Sequence, residues 1–180
     1  MNNVNPLVTV RMPAYNHELY VEKAILSVVN QSFQDFEFIV VDDGSSDQTP
    51  FIIERLAKKY DFVFLRQKNC GLCATLNRIL SLAKGNYLTG CASDDFYGPD
   101  RLEKQVAFME AHPEIGVCHT NAIIVNEHEQ ELGPMNATNF YHDNWSEEQL
   151  AIKNTIIAPT VMVRTELIRG IGGYDESLQV

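Results

Sequence analysis

Short apolar runs alternate with amphipathic helical stripes through the first hundred residues, and three of the strand-like runs end in a polar cluster. Leu7 to Met12 reads as a strand ending at Pro13–Ala14–Tyr15–Asn16. A helical pattern follows from Glu18, with Val21, Ala24, Ile25, Val28 and Val29 on one face. Phe36 to Val41 is a second strand and runs into Asp42–Asp43–Gly44. Ser46 or Asp47 caps the next predicted helix, whose inner face carries Ile52, Ile53, Leu56, Ala57 and Tyr60. Phe62 to Leu65 is a third strand, and Leu72, Leu76, Ile79, Leu80 and Ala83 form a third stripe closed by Gly85. Tyr87 to Thr89 starts a fourth strand that leads to Ser93–Asp94–Asp95. This alternation predicts an α/β fold with a mainly parallel, doubly wound sheet and right-handed crossovers. Ligands of such sheets sit outside the strand carboxyl ends, so the three polar clusters are expected to line one crevice.

The second half is less regular. A helix is predicted after Pro99, with Leu102, Val106 and Met109 at helical spacing, and Ile115 to Val125 reads as one further strand. Asn126 to Asn144 reads as a hairpin or long loop, Trp145 to Lys153 as a short helix and Pro159 to Val163 as a strand. Thr165 to Gly170 is a helical turn leading into Gly172–Gly173–Tyr174–Asp175. At 180 residues, with 45% hydrophobic and 21% charged residues, the chain suits one globular domain.

A formal net charge of -10 argues against nucleic acid as a partner, because phosphate backbones demand a Lys/Arg surface. It leaves room for a phosphorylated small ligand, since a cation held by carboxylates reverses the sign locally. No apolar run is long enough to span a bilayer, and Met1 to Pro6 does not resemble a signal peptide. Cys70, Cys73, Cys91 and Cys118 are therefore expected as reduced thiols in the cytoplasm. Cys70 and Cys73 form a C-x-x-C, too short a pattern to establish a zinc or thioredoxin-like site. The histidines show no metal-ligand spacing, and Walker, G-x-G-x-x-G, G-x-S-x-G and H-E-x-x-H patterns are absent.

The acidic pairs carry the chemistry. Adjacent carboxylates such as Asp42 and Asp43 repel each other and need solvent, donors or a cation. A carboxylate there can read an N–H of a nucleobase, although helix capping and turn formation explain the pair equally well. Asp94 and Asp95 offer two hard oxygen ligands with open positions, suited to Mg²⁺ or Mn²⁺ together with phosphate oxygens. The competing explanation for that pair is an Asx turn. Tyr15 offers a ring that can pack on a base, in a tetrapeptide that is otherwise ordinary turn chemistry.

In combination and order, these segments resemble family 2 glycosyltransferases of the GT-A fold. The resemblance rests on Val8 to Asn16, Gln31–Ser32–Phe33 with Phe36–Glu37, and Ile39 to Asp47. It continues through Asn69–Cys70–Gly71 with Asn77, Gly85–Asn86–Tyr87, Ser93–Asp94–Asp95, Pro99 to Leu102 and Gly172 to Glu176. It implies a Rossmann-like three-layer sandwich, with residues 1–98 as the nucleotide-binding half and 99–180 as a partial acceptor-side half. Pro13, Ala14, Tyr15, Asn16, Asp42, Asp43, Asn77 and Asp94 would then form the nucleotide site. Asp43 would accept the imide N–H of uracil or thymine. Asp95, with Asp94, would hold a Mn²⁺ or Mg²⁺ ion.

The implied reaction is inverting transfer from a nucleoside-diphosphate sugar, UDP-linked in first preference, to a hydroxyl of a saccharide or lipid-linked acceptor. The implied setting is polysaccharide biosynthesis in the cytoplasm, including peripheral association with the inner face of the membrane. Ala92 stands where the family often has the first Asp of D-x-D-D, and Leu76 where it often has Arg. The family's general base follows the Gly-Gly-Tyr/Phe-Asp-Glu segment, so it is expected beyond Val180. The chain is accordingly expected to be a C-terminally truncated piece of a longer enzyme, weakly active or inactive alone. The competing expectation is a non-catalytic nucleotide-sugar-binding or interaction module. A nucleotidyltransferase would need a basic Gly-rich loop where Pro13 to Asn16 stands.

Overall fold

The computed structural model describes residues 5–135 and 156–178. A six-stranded mixed sheet runs through it in the order β3-β2-β1-β4-β8-β5. The four parallel strands are β1 (Val8–Ala14), β2 (Phe36–Asp42), β3 (Val63–Arg66) and β4 (Tyr87–Gly90). Strand β8 (Met162–Arg164) joins antiparallel to β4, and β5 (Val117–Cys118) pairs antiparallel with β8. A separate hairpin is formed by β6 (Ile123–Val125) and β7 (Glu131–Pro134).

Period-two alternation in β1 builds the layers. Val8, Val10, Met12 and Ala14 point to one face and pack with Phe38 and Val40 of β2. Helices α1 (Val21–Val29), α2 (Thr49–Ala57) and α4 (Arg101–Ala111) cover that face through Ile25, Ile53 and Leu102. The opposite face carries Ile39, Val41 and Leu88, covered by Ile79 and Leu80 of α3 (Leu72–Leu82). The short helix α5 (Thr165–Gly170) adds Ile168 to the same layer. The outcome is the expected three-layer α/β sandwich.

Two strand expectations are corrected. Residues 115–125 do not form one strand: β5 belongs to the main sheet and β6 to the hairpin. Between them Thr160 captures the backbone of Thr120, its Oγ1 accepting from Thr120 N at 3.3 Å and donating to Thr120 O at 2.9 Å. Pro159 lies in a 3-10 turn, Ala158–Thr160, ahead of β8, because it has no N–H for a ladder. Of the hairpin or long loop predicted for Asn126 to Asn144, the first part is the β6–β7 turn and β7, and residues 136–144 lie outside the described residues. The predicted helix at Trp145 to Lys153 lies outside the described residues.

Pro13 lies inside β1 rather than ending it, paired with Val41 of β2. Its missing N–H would face β4, but β4 has already parted from β1 beyond the Arg11–Gly90 pair. The chain order turns back between β1 and β4, so this parting opens a crevice at the switch point of the sheet.

Candidate nucleotide-binding site

A cavity of about 390 Å³ occupies this crevice. Its walls come from the ends of β1, β2 and β4 and from the start of α3. Pro13, Ala14, Tyr15 and His17 contribute from the first of these, and Asp43 from the second. Ala92, Ser93 and Asp94 follow β4, while Asn69, Gly71, Leu72 and Thr75 belong to the loop after β3 and the first turns of α3. Four segments far apart in sequence therefore meet at one opening, as the sheet topology requires.

Asp43 is 5% exposed and held from several sides. Its Oδ1 accepts from Gln67 Nε2 at 2.7 Å and Cys70 N at 3.0 Å, and its Oδ2 from Gly71 N at 3.0 Å. Burial pushes the carboxyl pKa up, but the hydrogen bonds from Gln67 and Cys70 outweigh it and hold it below its ordinary value. Gly71 has φ +89 at the start of α3, a conformation that turns its N–H onto Asp43. Arg78 Nη1 donates to Gln67 Oε1 at 2.6 Å, so a cation backs this cluster although Leu76 is buried. Cys70 is a free thiol whose pKa is raised by burial and by the charges of Asp43 and Glu176. That is the reverse of what a thioredoxin-like thiol requires.

The second acidic pair divides between two environments. Asp94 lines the cavity with its side chain half exposed. Asp95 lies outside the cavity wall, in a turn where its N–H donates to Ala92 O at 3.1 Å. Burial and the neighbouring Asp94 charge push the Asp95 pKa up, against the pull of Arg101 and His17. Among the described residues, no three His, Cys, Asp or Glu side chains form a ready metal cluster.

The profile of Glycosyl transferase family 2 matches residues 9–165 of the chain. The chain belongs to glycosyl transferase family 2. An uncharacterized glycosyltransferase of Haemophilus influenzae is 44% identical over 106 residues, covering 58% of this chain and 42% of the relative. An uncharacterized glycosyltransferase of Methanocaldococcus jannaschii is 28% identical over 180 residues, covering 96% of this chain and 60% of the relative. The chain spans about half the length of such relatives. Among solved structures, S. aureus TarS in complex with UDP superposes with a TM-score of 0.69 at 22% identity, over 96% of this chain and 51% of TarS. A mannosyltransferase from Pyrobaculum calidifontis in complex with GDP-Man and Mn²⁺ gives 0.72 at 20% identity, over 98% and 49% of the two chains. These likenesses establish the GT-A fold.

Within this family 2 domain, the candidate residues fall into two groups. Pro13, Ala14, Tyr15, Asp43 and Asp94 meet at the cavity. Asp42 is 0% exposed and holds the loop instead, accepting from Ser45 N at 3.3 Å and pairing with Arg66 Nε at 3.3 Å. Asn16, at φ 53, uses Oδ1 to accept from Ser46 N at 2.9 Å and so ties the first loop to the second. Asn77 is spent on Tyr174 and Glu176. The N-cap of α2 is Gln48 rather than Ser46 or Asp47, and Asp47 forms a turn ahead of it, its Oδ1 accepting from Thr49 N at 2.9 Å. Asp175 Oδ1 accepts from Ser177 N at 2.9 Å and Oγ at 2.7 Å, which holds its pKa low. A low pKa makes Asp175 a poor general base.

His17 is among the cavity residues that sequence reasoning missed. Nothing in its spacing marks a ligand, and its partner Ser93 is 76 positions away. The available signal was its place directly after Asn16, at a strand carboxyl end.

Proposed function

We propose that this family 2 domain binds a nucleoside-diphosphate sugar, UDP-linked in preference, and serves inverting transfer of the sugar to an acceptor hydroxyl. The observation that carries this reading is the convergence of Tyr15, Asp43 and Asp94 on one cavity at the switch point. Tyr15, 48% exposed, supplies a face for a base. Asp43 Oδ1 is filled by Gln67 Nε2 and Cys70 N, with the Cys70 thiol at 3.5 Å, and Oδ2 takes Gly71 N, so the open acceptor position is on Oδ2. That suits the one imide N–H of uracil better than the paired N–H donors of guanine.

The residues also fit a divalent cation. Asp94 is an exposed carboxylate at the cavity wall with no lysine or arginine ion-pair partner among the described residues, and the Asp95 pKa is raised by burial and then by the Asp94 charge, which a cation would offset. When bound, such an ion would neutralise charge on the departing diphosphate. The chain's own residues would seat the base on Tyr15, fix it through Asp43 and place the diphosphate beside Asp94. The acceptor hydroxyl needs a base, which the resemblance to the family places after the Gly172-to-Glu176 segment. Among the described residues, no helix is long and apolar enough to cross a membrane.

Calorimetric titration with UDP and GDP, with Mn²⁺ and then with EDTA, tests the reading. The expected result is metal-dependent UDP binding that weakens at least roughly tenfold in Asp94→Ala or Asp95→Ala, a loss of about 1.4 kcal/mol. Equal binding with and without metal, or no binding of either nucleotide, overturns it.

A further inference from the structure

We propose that His17 is a further protein ligand, beside the Asp94–Asp95 pair, for the divalent cation that accompanies the donor, and that it biases the site toward Mn²⁺ over Mg²⁺. This rests on the donor-site reading above. The backbone of His17 is fixed before any ligand arrives. Its N–H donates to Thr49 Oγ1 at 2.8 Å, and its carbonyl accepts from Tyr20 N at 3.0 Å and Val21 N at 2.9 Å at the start of α1. Thr49 is wholly buried, so this anchor does not move with solvent.

The ring is fixed as well. Nδ1 lies 2.7 Å from the Oγ of Ser93, a residue 2% exposed, and Tyr20 meets the ring edge-on at 6.3 Å between centroids. In the tautomer whose Nδ1–H donates to Ser93, the lone pair is on Nε2. Metal-binding histidines are built this way, one ring nitrogen held by a hydrogen bond so that the other is oriented and free to coordinate.

Nε2 stands 3.8 Å from Asp94 Oδ2. That is too long for a hydrogen bond. It falls within the span of two ligands on one ion, because bonds of about 2.1 Å place ligand atoms roughly 3 Å apart at a right angle and roughly 4 Å apart when opposed. Both residues line the cavity, and the His17 side chain is 33% exposed, so the pair is open to the ligand from one side. Ala92, at the position where a carboxylate is often found in this family, leaves the site one oxygen ligand poorer; His17 replaces it with nitrogen. Both ions favour oxygen, but Mn²⁺, a first-row transition ion, takes an imidazole nitrogen more readily than Mg²⁺, which keeps to oxygen and water. The exchange of one oxygen for one nitrogen is what creates the bias.

The test is pulsed electron paramagnetic resonance of Mn²⁺ bound to the wild-type chain with UDP. A ¹⁴N modulation from a directly bound imidazole, lost in His17→Gln, is the expected result. His17→Gln retains a side-chain partner for Ser93, so loss of the signal does not depend on unfolding. Competition between Mn²⁺ and Mg²⁺ for the UDP-loaded protein gives a second readout, and the preference for Mn²⁺ should fall roughly tenfold in that variant. Mn²⁺ bound with UDP but without ¹⁴N modulation overturns the role of His17 and leaves the donor site standing. Failure of the wild type to bind Mn²⁺ with UDP overturns both.

Discussion

The Asn77 side chain is bonded to both backbone groups of Tyr174: Nδ2 donates to Tyr174 O at 2.9 Å, and Oδ1 accepts from Tyr174 N at 2.8 Å. This double bond pattern, like a single rung of β-ladder, fastens the Gly172-to-Glu176 segment onto α3. Gly173 fits only because it lacks a side chain, since a Cβ there would stand 2.5 Å from Asn77 Oδ1 at a φ of +86. Asn77→Ala leaves two backbone groups without their partner and is expected to cost about 1–3 kcal/mol. Thermal unfolding should show the loss, while UDP affinity below the transition stays within about twofold of wild type. A large drop in affinity with little change in stability would return Asn77 to the ligand site.

Asp43 makes stability depend on acid. Its folded pKa lies below the ordinary value of 3.8, so its hydrogen bonds contribute in full above that pH. The contribution is lost as pH falls through the depressed folded pKa. Hydrogen bonds to a charged acceptor contribute about 1.5–3 kcal/mol. Asp43→Asn, which cannot accept from all three donors, should therefore be less stable than wild type by about that amount at pH 7. Urea unfolding at descending pH should show the two proteins converging below pH 3.8; a constant gap would mean that the carboxylate charge is not what the loop uses.

Gly85 presses on the central strand. A Cβ at this position would lie 2.4 Å from Thr9 N and 2.5 Å from Val8 C, and neither backbone atom can move without breaking β1 out of register. Gly85 N also donates to Thr9 Oγ1 at 2.9 Å, and Gly85 O accepts from Thr165 Oγ1 at 2.7 Å. Gly85→Ala is expected to cost about 3 kcal/mol or more, lowering the melting temperature by roughly 6–12 °C.

The first four strands and their helices were legible because each buries one periodic face, and that period is a local property. The break at His119 to Ala122 was not, because Thr160 makes it from 40 positions away. The candidate site was legible as three clusters at strand ends, yet adjacent polar residues were read as acting together. Successive residues of an extended strand point to opposite faces, so Asp42 and Asp43 could not both face the crevice. That signal was available in the sequence. The roles of Asn16 and Asn77 were not, since an amide binding a ligand and an amide pinning a distant loop look alike until the loop is placed.

Gln67 is the final case, and it separates positioning from binding. Its Nε2 donates to Asp43 Oδ1 at 2.7 Å and to Thr75 Oγ1 at 2.8 Å, while its Oε1 is held by Arg78. On the proposed donor-site reading, Gln67 therefore reaches the nucleotide only through Asp43, whose second oxygen is the one left for the base. Gln67→Leu removes the donor that orients the carboxylate and is expected to weaken UDP binding roughly tenfold, about 1.4 kcal/mol. Arg78→Met should have a smaller effect of the same sign. If the action runs through Asp43, Gln67→Leu adds almost nothing in an Asp43→Asn background, and a double-mutant cycle read by calorimetry will show strong coupling. Additive losses would instead mean that Gln67 touches the ligand itself, with Asp43 and Gln67 as two independent contacts to the base.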